Sequence, residues 1–242
     1  MKTADVTAVI LTRDEERNLP RALTSLPRGM RVLVLDARSS DRTVEFAQGA
    51  GATVVQRDWT DYVDARGYAI SLVRTPWVLM LDADEALDDV LRDAIAAAPD
   101  DGDGYALERT TFYCGKALRM WSHEPLLRLF RREGAHLQTH ARGAAVHEYW
   151  ICDGPTGRLP GVLLHYSYPD VASYRAKFER YTAIEAAAMR FSLRRLAVQW
   201  LLLWPRWVWL LVRRGAVLDG LRGIGAAYWS ARYRYVVARK AR

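Results

Sequence analysis

Hydrophobic and polar residues fall along the first hundred positions in short, nearly solid apolar runs separated by longer mixed stretches. Residues 6–11 read as a buried strand, 18–25 as a short helix and 31–35 as a second strand. The cluster Ser39-Ser40-Asp41 supplies a helix N-cap, and the helix that it opens ends near Gly49 and Gly51. A third strand follows at 52–56, a helix at 62–73, and a fourth strand with almost no polar side chain at 77–81. Strands apolar on both faces and separated by helices define a parallel sheet covered on both sides. Such sheets take their ligands outside the carboxyl ends of the strands.

The rhythm changes after a helix at 88–97. The segment 99–104 is rich in Asp and Gly, and 104–113, 126–130 and 158–166 read as strands with no long helix between them, a mixed or antiparallel extension. A long helix is expected at 170–191, and the remainder is rich in Trp and Arg. The expected organisation is an α/β body in two parts, 1–98 and 99–191, with a helical tail at 192–242.

Composition adds a constraint on partners. The 242-residue chain carries a formal net charge of +7, but unevenly: residues 190–242 hold twelve Lys and Arg against one acid, Asp219. That segment is therefore +11 and the preceding body −4. A mildly acidic body with a basic tail argues against nucleic acid as partner and for an anionic partner met by the tail. Cys114 and Cys152 form neither a disulfide framework nor a metal-spaced pair, which fits a reducing compartment. Residues 1–5 lead into the first strand without a secretory leader, so a cytoplasmic location is expected.

The fourth strand runs directly into Asp82-Ala83-Asp84-Glu85. Alternate residues at a strand end point the same way, and two close carboxylates repel unless a cation or proton joins them. A hard divalent ion with phosphate oxygens satisfies both; the competing reading is that these acids simply open the next helix. A phosphatase of the haloacid dehalogenase kind also displays Asp-x-Asp after an apolar strand, but on its first strand rather than the fourth. Asp36 ends the second strand, where an acid commonly meets a ribose hydroxyl or base edge, or else belongs to an ordinary capped loop. The turn after the first strand, Thr12-Arg13-Asp14-Glu15-Glu16-Arg17-Asn18, has no glycine fingerprint, and this excludes the dinucleotide-dependent hydride-transfer class.

Val9 to Glu15, Leu35 to Thr43 and Leu81 to Glu85 together resemble the family 2 glycosyltransferases, whose nucleotide-binding half has the A-type fold. Val146-His147-Glu148, His165-Tyr166-Ser167-Tyr168 and the stretch from Arg214 to Gly220 resemble the branch that contains lipopolysaccharide-core glucosyltransferases. The resemblance implies an A-type fold with a mostly parallel, Rossmann-like sheet, a mixed acceptor-side extension and a C-terminal amphipathic helical tail. It implies an inverting enzyme that moves a single sugar, expected from a UDP-hexose, to a lipopolysaccharide-core or other lipid-linked acceptor. Thr12, Glu15 and Asp36 would contact the uridine, Arg66 the diphosphate, Asp82 the ribose or metal, and Asp84 a divalent cation, Mn or Mg. No Gln-x-x-Arg-Trp segment of the processive synthases is present, nor a Glu-Asp pair to serve as base. The expected base is Glu148, with His147 orienting it or ligating the metal; His165 is a weaker candidate, and Arg128 and Arg131 either serve phosphate or simply flank a strand.

The tail segment 196–212 contains Trp200, Trp204, Trp207 and Trp209, interrupted by Gln199, Pro205 and Arg206. It is short and costly as a membrane span, and its mixture of aromatic and basic side chains suits the headgroup layer. The alternative is a helix packed on the protein's own core. The location expected is peripheral, on the inner face of the cell membrane. A scaffold that docks on membranes and keeps the fold without turnover is the non-enzymatic alternative.

Overall fold

A computed structural model describes residues 1–58, 61–139 and 148–241. Among these are eleven strands and seven α-helices. Strand β1 (Val6–Thr12) lies between β2 (Arg31–Asp36) and β4 (Trp77–Asp82), with β3 (Thr53–Gln56) outside β2, and all of these pairings are parallel. Helices α1 (Leu19–Ser25), α2 (Thr43–Gly49) and α3 (Tyr62–Leu72) make the crossovers. Beyond β4 the sheet turns antiparallel through β8 (Glu124–Arg131), β6 (Gly104–Tyr113), β11 (Thr156–Tyr168) and β5 (Glu85–Leu87). Strand β7 (Lys116–Ala117) pairs with β6, and β9 (Ala135–Thr139) forms a separate hairpin with β10 (Glu148–Cys152). The mostly parallel half and the antiparallel extension are those the hydrophobic pattern predicts.

Every residue of β1 is buried, which is why its sequence reads as a solid run. Its side chains alternate between two cores: Val6, Ala8 and Ile10 enter one, Val9 and Leu11 the other. Strand β4 does the same, with Trp77, Leu79 and Leu81 against Val78 and Met80. Period-two alternation thus buries both faces and leaves only the strand ends for polar chemistry.

Helix α4 (Asp89–Ala96) begins at Asp88, whose carboxylate accepts from Leu91 N at 2.7 Å. The same first turn fixes Gly161 of β11: at φ +94° a Cβ there would stand 2.2 Å from Leu91 N, so only glycine fits. The competing reading, in which the acids of 82–85 open that helix, does not hold: β5 lies between them and α4, paired antiparallel with β11 so that Glu85 lies opposite His165.

The chain divides into two compact units, one built from residues 1–109, 123–139 and 148–165, the other from 110–122 and 166 onward. In the second unit α5 (Val171–Ala187) and α6 (Leu193–Val212) both pack on α7 (Gly220–Lys240). Its core joins Tyr113, Tyr174, Phe178, Ala226 and Val236. The long helix ends at Ala187, four residues before the expected boundary, and a separate helix starts after the Ser192 cap.

Candidate active site

In the first unit a group of charged residues gathers at the carboxyl ends of β1, β2 and β4. Asp36, at the end of β2, is completely buried. Its carboxylate accepts from Thr12 Oγ1 at 3.0 Å, Ser39 N at 2.9 Å, Gln56 Nε2 at 3.0 Å and the Ser39 hydroxyl. One carboxylate therefore ties together the ends of three adjacent strands. Burying it without these donors would be costly; with them it fixes the loops around it.

The two loops that follow β1 and β2 are laced to each other. Asp14 accepts from Ser40 N at 2.8 Å and its own N–H donates to Ser39 Oγ at 2.8 Å. Glu15 N donates to Thr43 Oγ1, and Glu16 N to Asp41 Oδ2. Asp41 feels burial, which raises its carboxyl, but the bonds from Thr43 and Glu16 prevail and hold it below its ordinary value. Asp14 and Arg38, each two residues past a strand end, both adopt φ +54°. Left-handed backbone is unusual for a side chain such as arginine, and the cross-loop bonds are what hold it. Glu15 also accepts from Asn18 Nδ2 at 2.8 Å.

The end of β4 carries the denser cluster. Asp82 lies between two guanidinium groups: Arg66 of α3 donates to its Oδ1 at 3.2 Å and Arg128 of β8 to its Oδ2 at 2.8 Å. Arg128 donates as well to Glu85 Oε1 at 2.9 Å, and Arg109 of β6 approaches the same oxygen at 3.6 Å. Glu85, whose side chain is completely buried, accepts Asp82 N at 3.0 Å with its other oxygen. The turn from β4 to β5 is thereby locked from inside. Burial alone would raise the Asp82 carboxyl, but the charges of Arg128 and then Arg66 hold it well below the usual range. Burial raises Glu85, opposed by Arg128 and assisted by Asp82. Burial lowers the Arg128 guanidinium and its two carboxylates more than reverse this.

Asp84 meets a different partner, His165 of β11, whose Nε2 is 3.4 Å from Asp84 Oδ2. Both side chains are about one-seventh exposed, at 14% and 15%. Of this pair the carboxylate suits hard ions such as Mg and Mn, and the imidazole is a ligand of the later transition metals. Among the described residues no group of three or more His, Cys, Asp or Glu surrounds a possible metal position. Asp82, by contrast, already has both oxygens on arginines.

Of the residues expected from sequence, the structure brings together Thr12 with Asp36, and Arg66 with Asp82. His147 lies outside the described residues, and for Glu148 the structure describes only its backbone place at the start of β10. The sequence pattern alone gives no role to Glu85 or Arg109 and marks Arg128 and His165 only as weaker candidates. The available signal was an arginine inside the apolar strand Leu126-Leu127-Arg128-Leu129-Phe130. A charge there is buried with a partner or not tolerated.

A parallel sheet with acids gathered at the end of its fourth strand defines the class of a nucleotide-binding α/β protein. The chain matches the model of Glycosyl transferase family 2 over residues 7–153, and it belongs to that family. It is 27% identical over 248 residues to the lipopolysaccharide core biosynthesis glycosyltransferase LpsC of Rhizobium meliloti, covering 97% of this chain and 91% of that one. An uncharacterized glycosyltransferase of Rickettsia bellii is 36% identical over 94 residues, which cover 38% of this chain. The chain spans about a third of the length of that relative, 32%. The mannosyltransferase PcManGT of Pyrobaculum calidifontis, solved in complex with GDP-Man and Mn2+, superposes with a TM-score of 0.57 at 15% identity, covering 98% of this chain and 86% of that one. The fold is thus the A-type glycosyltransferase fold.

Proposed function

We propose that the chain is an inverting glycosyltransferase that transfers one sugar, from a UDP-hexose, to a lipopolysaccharide-core or other lipid-linked glycan at the inner face of the cell membrane. The observation that carries this reading is the end of β4, where Asp82 sits between Arg66 and Arg128 while the nearby Asp84 faces His165. The likeness to LpsC over nearly the whole chain supports the acceptor class. Residues 1–98 form the donor half, 99–191 the acceptor half, and 192–242 the part that meets the anionic membrane surface.

In this reading Thr12, Glu15 and Asp36 shape the uridine site, with Asp36 acting through the loop that it orders. Arg66 and Arg128 place positive charge where the diphosphate leaves, and Asp84 with His165 would hold a divalent cation. A bound cation neutralises charge that develops on the leaving diphosphate. Glu85 keeps Arg128 and the backbone of Asp82 in register. Glu148 removes the proton from the acceptor hydroxyl, which attacks the anomeric carbon from the face opposite the diphosphate, so an α-linked donor gives a β linkage. His147 orients Glu148 or ligates the metal.

The phosphatase alternative has no support beside the family match, and its motif would sit on the wrong strand. The test is a calorimetric and hydrolysis screen of nucleotide sugars with Mn or Mg, repeated with chelator. Metal-dependent binding and turnover of a UDP-sugar are expected. Equal affinity in chelator removes the cation, absence of binding to any nucleotide sugar removes the reading, and binding without turnover or transfer favours the idle scaffold.

A further inference from the structure

We infer that α6 is an in-plane membrane anchor whose outward face lies at the boundary between the headgroups and acyl chains of an anionic bilayer. This deepens the membrane-surface reading above and stands on side chains of the second unit alone. The helix is inside out. Its polar side chains within 196–212, Gln199 and Arg206, bond to each other at 2.6 Å and are half-buried. Leu203 is buried, and Trp207 donates to the carbonyl of Ile224 in α7 at 3.3 Å. Burial, and then the like charge of Arg234, lowers the Arg206 guanidinium. Every exposed position from Ala197 to Val212 is apolar, among them Trp200, Leu201, Trp204, Val208 and Trp209. A water-facing helix has the opposite arrangement, and a continuous exposed apolar face marks an interaction surface.

The charges at the two ends of this face select its occupant. Arg194 and Arg195 are exposed at its start, Arg213 and Arg214 at its end. A second copy laid against α6, parallel or antiparallel, would bring arginines against arginines. Anionic headgroups meet both ends at once, with indole rings between them at the depth they favour. The apolar edge continues through Val217, Leu218 and Leu221, all exposed, to Arg222.

The same side chains set a shallow, lateral placement. No helix among the described residues is long and apolar enough to cross a membrane. One side of α6 is occupied by α7, which itself carries Arg222, Arg232 and Arg234. Pro205, inside the helix, has no N–H for the carbonyl of Leu201. A carbonyl without its donor is costly in hydrocarbon but met by water near the headgroups.

The experiment uses the full chain with vesicles of phosphatidylcholine alone or mixed with phosphatidylglycerol, and light scattering of the free protein. The parent should be monomeric and co-sediment with anionic vesicles at low salt. The L201Q/W204Q/V208Q variant, altered only at exposed positions and checked for unchanged helicity by circular dichroism, should lose at least tenfold in partition. Replacing Arg194, Arg195, Arg213 and Arg214 by Gln should cost about fivefold per arginine on anionic vesicles. Lipids brominated near the carbonyl end should quench the parent more than lipids brominated near the chain terminus, and W200F/W204F/W209F should remove the difference. Unchanged partition of the first variant overturns the inference, as does equal or greater quenching from the chain terminus. An oligomer that the first variant converts to monomer, without vesicle binding, assigns the face to self-association and overturns it too. Vesicle binding without nucleotide-sugar binding would sink only the proposed function. Metal-dependent sugar hydrolysis without vesicle binding would sink the anchor and the membrane placement with it, and leave the transfer reading standing.

Discussion

Replacing Arg128 by Met tests whether the acidic turn after β4 is held by charge. The substitution keeps most of the apolar stem and removes a guanidinium that donates to Asp82 at 2.8 Å and to Glu85 at 2.9 Å. Glu85 is fully buried and retains Arg109 at 3.6 Å, a longer contact than the one lost. Asp82 retains Arg66 at 3.2 Å. Removing one partner of a buried pair typically costs about 3–5 kcal/mol, because a desolvated charge is left behind. With a urea m-value of about 2–3 kcal/mol/M the unfolding midpoint should fall by roughly 1–2 M. The loss should depend on pH. Asp82 is held below its ordinary 3.8, so in the parent it contributes stability that is present above that value and lost as the pH falls towards its folded value. Glu85 is raised above its ordinary 4.5, so its ionisation removes stability as the pH rises from there to its folded value. Without Arg128 the first contribution shrinks and the second penalty grows, and both widen the gap between parent and variant from acid to neutral pH. Urea titrations in chelator at several pH values from 4 to 8 measure it. Adding Glu85→Gln to Arg128→Met should recover about 1–3 kcal/mol relative to the sum of the single changes. A gap that does not vary with pH, or single changes that add, would refute charge pairing as what holds the turn.

Three further outcomes are expected. His165→Ala and Asp84→Ala should each weaken Mn binding in the presence of UDP, read from the free-ion electron paramagnetic resonance signal, and equal affinity in both variants would exclude the pair as ligands. Asp36→Ala should lower stability by about 1–3 kcal/mol because four donors lose their acceptor, and calorimetry should show reduced affinity for UDP; an unchanged melting temperature would contradict the strand-tying role. Glu148→Gln should keep donor affinity while transfer falls by a factor of about 100 to 10,000, and transfer at near the normal rate would place the base elsewhere.

The parallel part of the sheet was legible because its central strands β1 and β4 are buried on both faces. A solid apolar run such as 77–81 admits few other interpretations between helical stretches, and the acids that end such runs mark the side on which ligands bind. The extension was less legible. Strand β5 has three residues and contains no signal apart from the acids before it; its existence depends on pairing with β11, some eighty positions away. The hairpin of β9 and β10 likewise depends on cross-strand register that local pattern does not encode.

The site divides along the same line. Asp36, Asp82 and Asp84 stand at strand ends, where sequence position predicts spatial position. Arg128 and His165 reach the acids from antiparallel strands, and nothing in local sequence says which acid each will meet. The cost of an uncompensated buried charge narrows the choice nonetheless. A buried Glu85 and a mostly buried Asp82 require cations of comparable depth, and few arginines in the first unit interrupt apolar strands as Arg128 does between Leu127 and Leu129. The pairing of Asp84 with His165 follows from β5 lying beside β11: once Glu85 is registered opposite His165, the residue before Glu85 comes within reach of the same imidazole. A one-residue slip of that register would reverse which side chains face the cluster, so three residues of strand decide which acid the histidine serves.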